Sequence, residues 1–473
     1  MQPRAHEFKR RAEAALLDPD LQRAMGKARG GFQEKRRAAV EALAEFDELR
    51  KAAREIKEHT LQHLDYYLEQ YEKKVKDTGG QVHWASTTDE ARQIIIDICR
   101  RASAKRITKG KSMVGEEMAI NEALEAAGFE PIETDLGEYI IQLAKEPPSH
   151  IIAPAVHKTK DQITDLFHAH HRKYGLTDRV TEVAAIVDEA RTVLRDKFLS
   201  ADVGITGANF LIAETGSNVI VTNEGNGDLT NTLPRVHIVT AGIEKVIPTL
   251  EDMSTILRLL ARSATGQEMS VYTTLSTGPK RAEDLDGPSE YHVVLLDNGR
   301  SQMLGNEFHE MLRCIRCGAC MNHCPVYHSI GGHAYGWVYV GPMGSVLTPL
   351  MVGLDNAYDL PNACTLNGRC QEVCPMGIPL PDMLRKLRMR GYDDRLMPAR
   401  ARAGLRLWAF FAKRPRLYRA VTSFAIRLMG LAGKKRGRFG RLPLTGAWSD
   451  ARDMPAPQGE TFQSAWRNRR AGG

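Results

Sequence analysis

The chain has 473 residues, which is too long for one ordinary domain and predicts two or three. A hydrophobic content of 42% and a charged content of 26% are typical of a soluble globular protein, and no uncharged apolar run reaches the length of a membrane span. The net charge of +7 is unevenly spread, because residues 383–441 contain 18 Lys and Arg against two acids while the rest of the chain is acidic. Residues 1–11 are charged and lack the apolar segment of a secretory signal.

Residues 1–79 have the pattern of helices, with Leu and Ala at helical spacing and dense pairing of Glu with Lys. The sequence Thr78-Gly-Gly ends this helical arm. We predict that the arm packs as a helical layer on the next domain. Binding of a partner protein by the arm is the alternative.

Residues 80–300 alternate between short apolar strands, such as 203–206 and 218–222, and helices. This alternation is typical of an α/β domain with a largely parallel sheet. Cys99 lies on the apolar face of a predicted helix and is expected to pack in the core. The histidines within residues 168–171 lie at a helix end, where we expect them to be solvated.

Four loops of this domain could bind a ligand: residues 109–113, 133–139, 213–218 and 223–228. The first loop contains two lysines and lies between a strand and a helix, where backbone N–H groups could hold an anion. Turn chemistry explains the same residue types, since such loops are rich in Gly, Asn and Asp for structural reasons. Glu214 is the one side chain that we select as a catalytic candidate.

Seven of the eight cysteines lie between residues 314 and 374. The first run has the C-x2-C-x2-C-x3-C-P pattern of bacterial ferredoxins, at Cys314, Cys317, Cys320 and Cys324. In that pattern three thiolates bind one cubane and the fourth turns away to the other cluster. A zinc site uses paired C-x2-C units and four ligands, so this spacing does not suit it. Thiolate-bound clusters and the lack of an export signal predict a cytoplasmic protein.

The second run contains Cys364, Cys370 and Cys374, with Asn367 where a repeat would place a cysteine. If the fourth ligands cross over, cluster 1 takes Cys314, Cys317, Cys320 and Cys374, and cluster 2 takes Cys324, Cys364 and Cys370. Cluster 2 is then one thiolate short. It is either a [3Fe–4S] centre, as in the similar site of the iron–sulfur subunit of succinate dehydrogenases, or a [4Fe–4S] centre. In the second case Asn367, water or a substrate would hold the fourth iron.

The ferredoxin module is predicted to span residues 301–392, with a spacer at 325–363 that could wrap the clusters and exclude water. Residues 393–473 form a basic C-terminal region with amphipathic helices that carry aromatic side chains. No nucleic-acid reader motif accompanies this charge, so we expect no nucleic acid and predict an acidic protein partner. Peripheral membrane contact through this region is the alternative.

Motifs along essentially the whole chain resemble the lactate utilization protein B family. They are Lys109-Gly-Lys-Ser-Met, Glu133-Thr-Asp-Leu-Gly-Glu-Tyr, Thr206-Gly-Ala-Asn-Phe-Leu-Ile-Ala-Glu-Thr-Gly-Ser, Gly341-Pro-Met-Gly-Ser and both cysteine runs. The resemblance implies an N-terminal LUD-type domain similar to the NagB/RpiA/CoA-transferase fold, followed by an α-helical dicluster ferredoxin module. The family pattern has Cys at the position of Asn367 and a small residue at that of Cys364, which implies that one ligand has moved here.

The resemblance also implies work with partner proteins A and C in oxidising L-lactate to pyruvate. We therefore expect an electron-transfer subunit that passes electrons through two iron–sulfur clusters to an acceptor. The sequence contains no G-x-G-x-x-G that opens a helix after a strand, so hydride transfer by this chain alone is not expected. Two alternatives are an N-terminal enzyme acting on a carboxylate or CoA ester through Glu214, and a redox subunit for another 2-hydroxy acid such as glycolate.

Overall fold

The computed structural model describes residues 3–440 and 452–471. The chain divides into two compact units, Met1–Gly391 and Tyr392–Gly473. The larger unit contains the helical arm, the α/β domain and the cysteine-bearing region. The smaller unit contains the basic C-terminal helices.

The arm consists of four helices: α1 (Phe8–Leu17), α2 (Pro19–Glu41), α3 (Phe46–Gln62) and α4 (Leu64–Asp77). The Asp18 side chain begins α2, because it accepts the backbone N–H groups of Asp20 and Leu21. Pro19 occupies the first turn of α2, where its missing N–H group costs nothing. These signals lie in the sequence between two predicted helical stretches.

A six-stranded parallel sheet forms the centre of the α/β domain, in the order β1-β10-β7-β4-β2-β3. Its strands are β1 (Gln81–Ala85), β2 (Arg106–Lys109), β3 (Glu130–Glu133), β4 (Val203–Gly207), β7 (Val236–Gly242) and β10 (Glu290–Leu296). Strands β4 and β7 are buried along their whole length, as expected for central strands covered on both faces. The predicted α/β class with a parallel sheet is confirmed.

A second sheet of four strands was not predicted. It comprises β5 (Phe210–Ile212), β6 (Ser217–Thr222), β8 (Val246–Ile247) and β9 (Tyr272–Ser276), in the order β8-β5-β6-β9. We predicted that residues 218–222 form a strand of the parallel sheet. This strand, β6, instead pairs antiparallel with β5 and β9. Only four residues separate β5 from β6, and a parallel neighbour needs a much longer crossover.

Eight helices of the α/β domain precede its last two strands: α5 (Thr88–Arg101), α6 (Met113–Glu117), α7 (Ile120–Ala126), α8 (Leu136–Ala144), α9 (Lys160–His171), α10 (Val183–Leu199), α11 (Asn226–Thr232) and α12 (Leu250–Ala264). Cys99 of α5 is fully buried against the sheet, which confirms its core position. Burial raises the pKa of its thiol to about 12.

The expectation of solvated histidines at the end of α9 is wrong for His171. This side chain is fully buried and lies between the hydroxyl of Tyr139, at 3.0 Å, and the carboxylate of Glu189, at 2.7 Å. Burial lowers the pKa of His171, against the effect of the Glu189 carboxylate. The packing of α10 on α9 removes this helix end from water, and only the tertiary structure provides that neighbour.

The cysteine-bearing region is helical: α13 (Ala319–Asn322), α14 (Pro325–Ile330), α15 (Gly341–Val352), α16 (Leu354–Ala357), α17 (Asp359–Ala363), α18 (Arg369–Glu372) and α19 (Leu380–Asp393). Every residue from 330 to 349 except His333 is buried, so the central part of the spacer between the cysteine runs is an interior segment. Helix α2 packs on α13 and α14 as well as on α12. The arm therefore covers the α/β domain, as predicted, and also the cysteine-bearing region.

The C-terminal unit contains α20 (Ala399–Ala412), α21 (Pro415–Gly433), the antiparallel pair β11 (Arg438–Phe439) and β12 (Met454–Pro455), and α22 (Phe462–Ala471). Part of the predicted basic region, residues 441–451, lies outside the described residues. Helices α20 and α21 pack on each other and expose aromatic side chains such as Trp408 and Phe424. Among the helices of the described residues, none is both long and apolar enough to span a bilayer.

Candidate iron–sulfur centre and adjoining cavity

The two cysteine runs follow the same backbone path. In the first run the neighbours of Cys317, Arg316 and Gly318, have φ angles of 59° and 76°. In the second run the neighbours of Asn367 have φ angles of 54° and 83°. Both turns therefore contain two left-handed residues around one central side chain, and Asn367 occupies the place that Cys317 holds in the first turn.

The side chain of Asn367 is exposed, and its Oδ1 accepts the backbone N–H of Arg369 at 3.2 Å. This is the usual local bond of an Asn in a turn. By contrast, Cys317 is buried. The same backbone position thus presents a buried thiol in one turn and an exposed amide in the other.

Four thiols lie in one neighbourhood. Burial, followed by the charges of Cys374 and Cys314, raises the pKa of the Cys317 thiol to about 12. Burial and then the charges of these three cysteines also raise the pKa of Cys320, and Cys370 adds a smaller effect. Cys320 therefore interacts with Cys370 as well as with its own group.

The other three thiols lie together in a second neighbourhood. Burial, followed by the charges of Cys364 and Cys324, raises the pKa of Cys370 to about 12. The Sγ atom of Cys324 accepts the N–H of Tyr327 at 3.5 Å, and that of Cys364 accepts the N–H of Leu366 at 3.3 Å. Such N–H···S bonds stabilise negative charge on sulfur.

The donor chemistry of both groups suits iron. Thiols with pKa values this far above neutrality hold their protons without a metal, and metal binding must release those protons because the thiolate is the ligand. Soft thiolates in groups of four and three are donor sets for iron–sulfur clusters. The apolar shell around the first group, which includes Met343 and Ile378, would limit access of water.

Two arginines of the arm lie against the first thiol group. Arg36 of α2 is 8% exposed, and its Nη2 donates to the carbonyl of Val373 at 2.9 Å. Arg50 of α3 donates to the carbonyl of Cys374 at 2.9 Å. The charge of Arg36 interacts with the thiolates of Cys317 and Cys374. Sequence reasoning missed both arginines, because nothing in two helices more than 300 residues away indicates contact with a cysteine loop.

A cavity of about 270 Å³ lies between the α/β domain and the first cysteine run. Residues 110–112, which follow β2, and Gly207, which ends β4, form one wall. Ligands of open α/β sheets bind at these carboxyl ends of the strands. Arg316 and Tyr339 of the cysteine-bearing region form another wall. Of the four predicted loops, 109–113 and 223–228 line the cavity, 133–139 contributes Asp135, and 213–218 does not contribute.

The basic side of the cavity contains Lys245 and Arg316. Lys245 is 7% exposed, and burial lowers the pKa of its ammonium group to about 8, against the charges of Glu244 and Cys314. The Arg316 guanidinium lies 4.8 Å from the ring centroid of Tyr339, and its Nη2 lies 3.5 Å from Oε1 of Glu244. Both cations are therefore close to the first thiol group as well as to the cavity.

Two predicted ligand-binding residues lie elsewhere. Lys109 is fully buried and pairs with the carboxylates of Glu116, at 2.9 Å, and Glu133, at 2.8 Å, so it faces the domain interior. Glu214 is exposed outside the cavity lining, and its carboxylate accepts the N–H of Leu250 at 3.1 Å. This bond stabilises the beginning of α12. A catalytic role of Glu214 stays a prediction.

Comparisons with known proteins agree with this architecture. A LUD domain matches residues 68–296, a 4Fe-4S dicluster domain matches 310–378, and the C-terminal region of lactate utilisation protein B matches 382–471. A crystal structure of a DUF162 family protein from Deinococcus radiodurans covers 49% of this chain and 98% of its own, at 13% identity and a TM-score of 0.28. This structural similarity is too low to define the fold.

Similarity to whole proteins is much stronger. Lactate utilization protein B of Oceanobacillus iheyensis is 42% identical over 98% of this chain and 97% of its own. The proteins of the same name from Lysinibacillus sphaericus and Geobacillus thermodenitrificans are each 43% identical, over 99% and 98% of this chain and 98% of their own lengths. Identity at this level over the full length of both chains means that the chain belongs to the lactate utilization protein B family.

Proposed function

We propose that this chain is the iron–sulfur electron-transfer subunit of a cytoplasmic L-lactate-oxidising system. It works with A- and C-type lactate utilization proteins and passes electrons to an acceptor. Family membership and the match to a dicluster ferredoxin domain support this proposal. Since the sequence has no flavin or nicotinamide fingerprint, lactate itself is oxidised at a partner's site.

The single observation that carries the proposal is that Cys314, Cys317, Cys320 and Cys374 line one apolar pocket, whereas Cys324, Cys364 and Cys370 do not line it. We assign cluster 1, a [4Fe–4S] centre, to Cys314, Cys317, Cys320 and Cys374. We assign cluster 2 to Cys324, Cys364 and Cys370. Iron–sulfur clusters bound there would supply one-electron transfer.

We further propose that cluster 2 is a [3Fe–4S] centre. The Asn367 amide oxygen is already engaged by a local backbone N–H, and the side chain is exposed to water. Both features disfavour a firm amide ligand to a fourth iron. A [4Fe–4S] centre completed by Asn367, water or a substrate is the alternative that the experiment below distinguishes.

The other regions support this role. The N-terminal domain, with a NagB/RpiA/CoA-transferase type of fold, serves assembly or binds a small ligand, and its wholly parallel sheet with a cavity at the carboxyl ends supports this. The C-terminal unit docks an acidic protein, supported by its basic charge and exposed aromatic side chains. Peripheral membrane contact is the alternative use of that surface.

The test is EPR spectroscopy with iron and sulfide quantification on protein purified without oxygen. We expect about seven irons per chain and a signal in the oxidised state that is typical of [3Fe–4S]. About eight irons, with no signal until reduction, would mean that a non-cysteine ligand completes a second cubane. Zinc without iron would contradict the electron-transfer proposal.

The identity of the acid needs a second experiment, because the same arrangement suits another 2-hydroxy acid such as glycolate. The chain is combined with its A- and C-type partners, and reduction of its clusters is followed spectroscopically after addition of either acid. We expect L-lactate to reduce the clusters. Reduction of the clusters by glycolate but not by L-lactate would mean that glycolate is the substrate.

A further inference from the structure

We propose that the cavity is a binding site for a small monocarboxylate anion, held by Lys245 and Arg316 beside the first thiol group. The site itself does not depend on the electron-transfer role. Its effect on cluster 1, described below, rests on the proposed function.

Lys245 provides the first argument. Its side chain is 7% exposed and lines the cavity, yet its ammonium group makes no hydrogen bond or ion pair with any of the residues that the structure describes. A buried charge without a partner is costly, so native proteins pair such groups or bind a counter-ion. The neighbouring carboxylate of Glu244 pairs with Arg300, whose Nε lies 2.8 Å from Oε2, and it makes no ion pair with Lys245.

Arg316 provides the second argument. Its contacts are long for a largely buried guanidinium: 3.5 Å from Nη2 to the Glu244 carboxylate and 3.5 Å from Nη1 to the sulfur of Met343. Glu244 is closer to Arg300 than to Arg316. Arg316 thus retains donor capacity on the side where it lines the cavity.

The charge balance around these residues is positive. The cations of this cluster are Lys245, Arg300 and Arg316, and the buried carboxylates beside them are Glu117 and Glu244. One positive charge in excess faces the thiolate of Cys314 on one side and the cavity on the other. An anion in the cavity would share this charge with the cysteine group.

The shape and polarity of the cavity define the class of ligand. A volume of about 270 Å³ lies just below the usual range of ligand pockets and is sufficient for an acid of a few carbons. The hydroxyl oxygens of Ser112 and Thr240, 3.2 Å apart, line the cavity. Because Thr240 donates to the carbonyl of Thr206 and Ser112 bonds Thr240, these oxygens retain acceptor capacity that suits a hydroxyl group next to the carboxylate. Asp135 and Glu224 line the cavity too, and their charges oppose a second carboxylate on the ligand.

Binding of such an anion would act on cluster 1. The charge of Lys245 interacts with the thiolate of Cys314, so an anion on Lys245 offsets a positive charge that favours electron uptake. We therefore expect anion binding to lower the reduction potential of cluster 1. By reciprocity, reduction of cluster 1 weakens the anion affinity by the same factor.

The experiment uses the full-length, iron-loaded protein under anaerobic conditions with pyruvate, acetate and malonate as probes. Isothermal titration calorimetry is expected to show saturable binding of pyruvate, weaker binding of acetate and at least tenfold weaker binding of malonate. Lys245→Met should weaken pyruvate binding at least tenfold, whereas Lys245→Arg, which retains the charge, should retain most of it. Lys105→Met, which removes an exposed lysine far from the cavity lining, is the matched control.

Several results would overturn the proposal. One is a wild-type protein that binds no pyruvate, or whose binding is unchanged by Lys245→Met. Another is a Lys245→Met variant with a shifted reduction potential of cluster 1, combined with a wild-type potential that no anion changes. In that case Lys245 would only balance the charge of the cluster. If Lys245→Met fails to fold, the reduction potential of wild-type cluster 1 is measured by EPR with pyruvate and with chloride at equal ionic strength. An equal potential in both would then overturn the proposal. Protein that lacks iron but still binds pyruvate at Lys245 would contradict the electron-transfer role and support the site.

Discussion

The two cysteine turns share a backbone but differ in their surroundings. Around Cys317 the turn is buried under the arm and the α/β domain, and the central thiol is 8% exposed. Around Asn367 the turn reaches the surface, with Leu366 exposed by 38%. Left-handed residues at equivalent positions maintain the path in both turns. The comparison teaches that turn geometry and ligand identity are separate properties, since the second turn retains the geometry with a different central side chain.

The largest expected effect comes from the central position of the first turn. Cys317→Ser removes one of four proposed ligands from a buried site, so we expect loss of cluster 1, about four of about seven irons per chain. Iron and sulfide quantification with EPR measures this loss. Asn367→Ser changes the equivalent position of the second turn and should retain all the iron. Equal loss in both variants would contradict the distinction between the turns.

The second prediction concerns a substitution that gives the second turn a central cysteine like that of the first turn. Asn367→Cys completes a run of cysteines at positions 364, 367, 370 and 374. Because the backbone already follows the path of the first turn, we expect cluster 2 to gain about one iron and to lose its oxidised-state EPR signal. Asn367→Ala is the control and should change neither property. An unchanged iron content and signal in Asn367→Cys would mean that the second turn cannot present a thiolate to the cluster.

The third prediction concerns the charge of a buried arginine that lies against the first turn. Arg36→Met removes a buried positive charge that interacts with Cys317 and Cys374, and electron uptake by cluster 1 becomes less favourable. We expect its reduction potential to fall by roughly 60 mV, a tenfold change for one electron. Redox titration followed by EPR measures the shift. Arg37→Met, at the exposed neighbouring position, should leave the potential unchanged, and equal shifts would argue against a local effect.

The smallest expected effect concerns backbone strain in the second turn. Leu366 has a φ of 54°, in the left-handed region that costs a residue with a Cβ atom about 1–2 kcal/mol. Leu366→Gly relieves this strain at some cost in chain entropy, so we expect the free energy of unfolding to rise by roughly 0.5–1 kcal/mol. Chemical unfolding of the iron-loaded protein measures it. Leu366→Ala retains the Cβ atom and should show little gain, and a gain as large as that of glycine would exclude strain as the cause.

Part of the site could be read from the sequence because its geometry is local. Thiols three residues apart on one tight turn must lie together, so the spacing predicted the first group, and the loop at 109–113 was expected to line a ligand site. The ligand sets themselves stay a prediction. The spacing could not indicate that Lys109 would point inward to Glu133, because both lysines of the loop look alike in the sequence.

The sequence by itself determined the alternation of strands and helices, the helical arm and the two turns that carry the cysteines. Each of these features depends on residues near one another in the chain. Only the tertiary structure decided that Arg36 reaches the Cys374 loop and that Lys245 and Arg316 meet at one cavity. It also decided that His171 is buried. These contacts join residues far apart in the chain, and their positions depend on how whole elements pack, which no local pattern specifies.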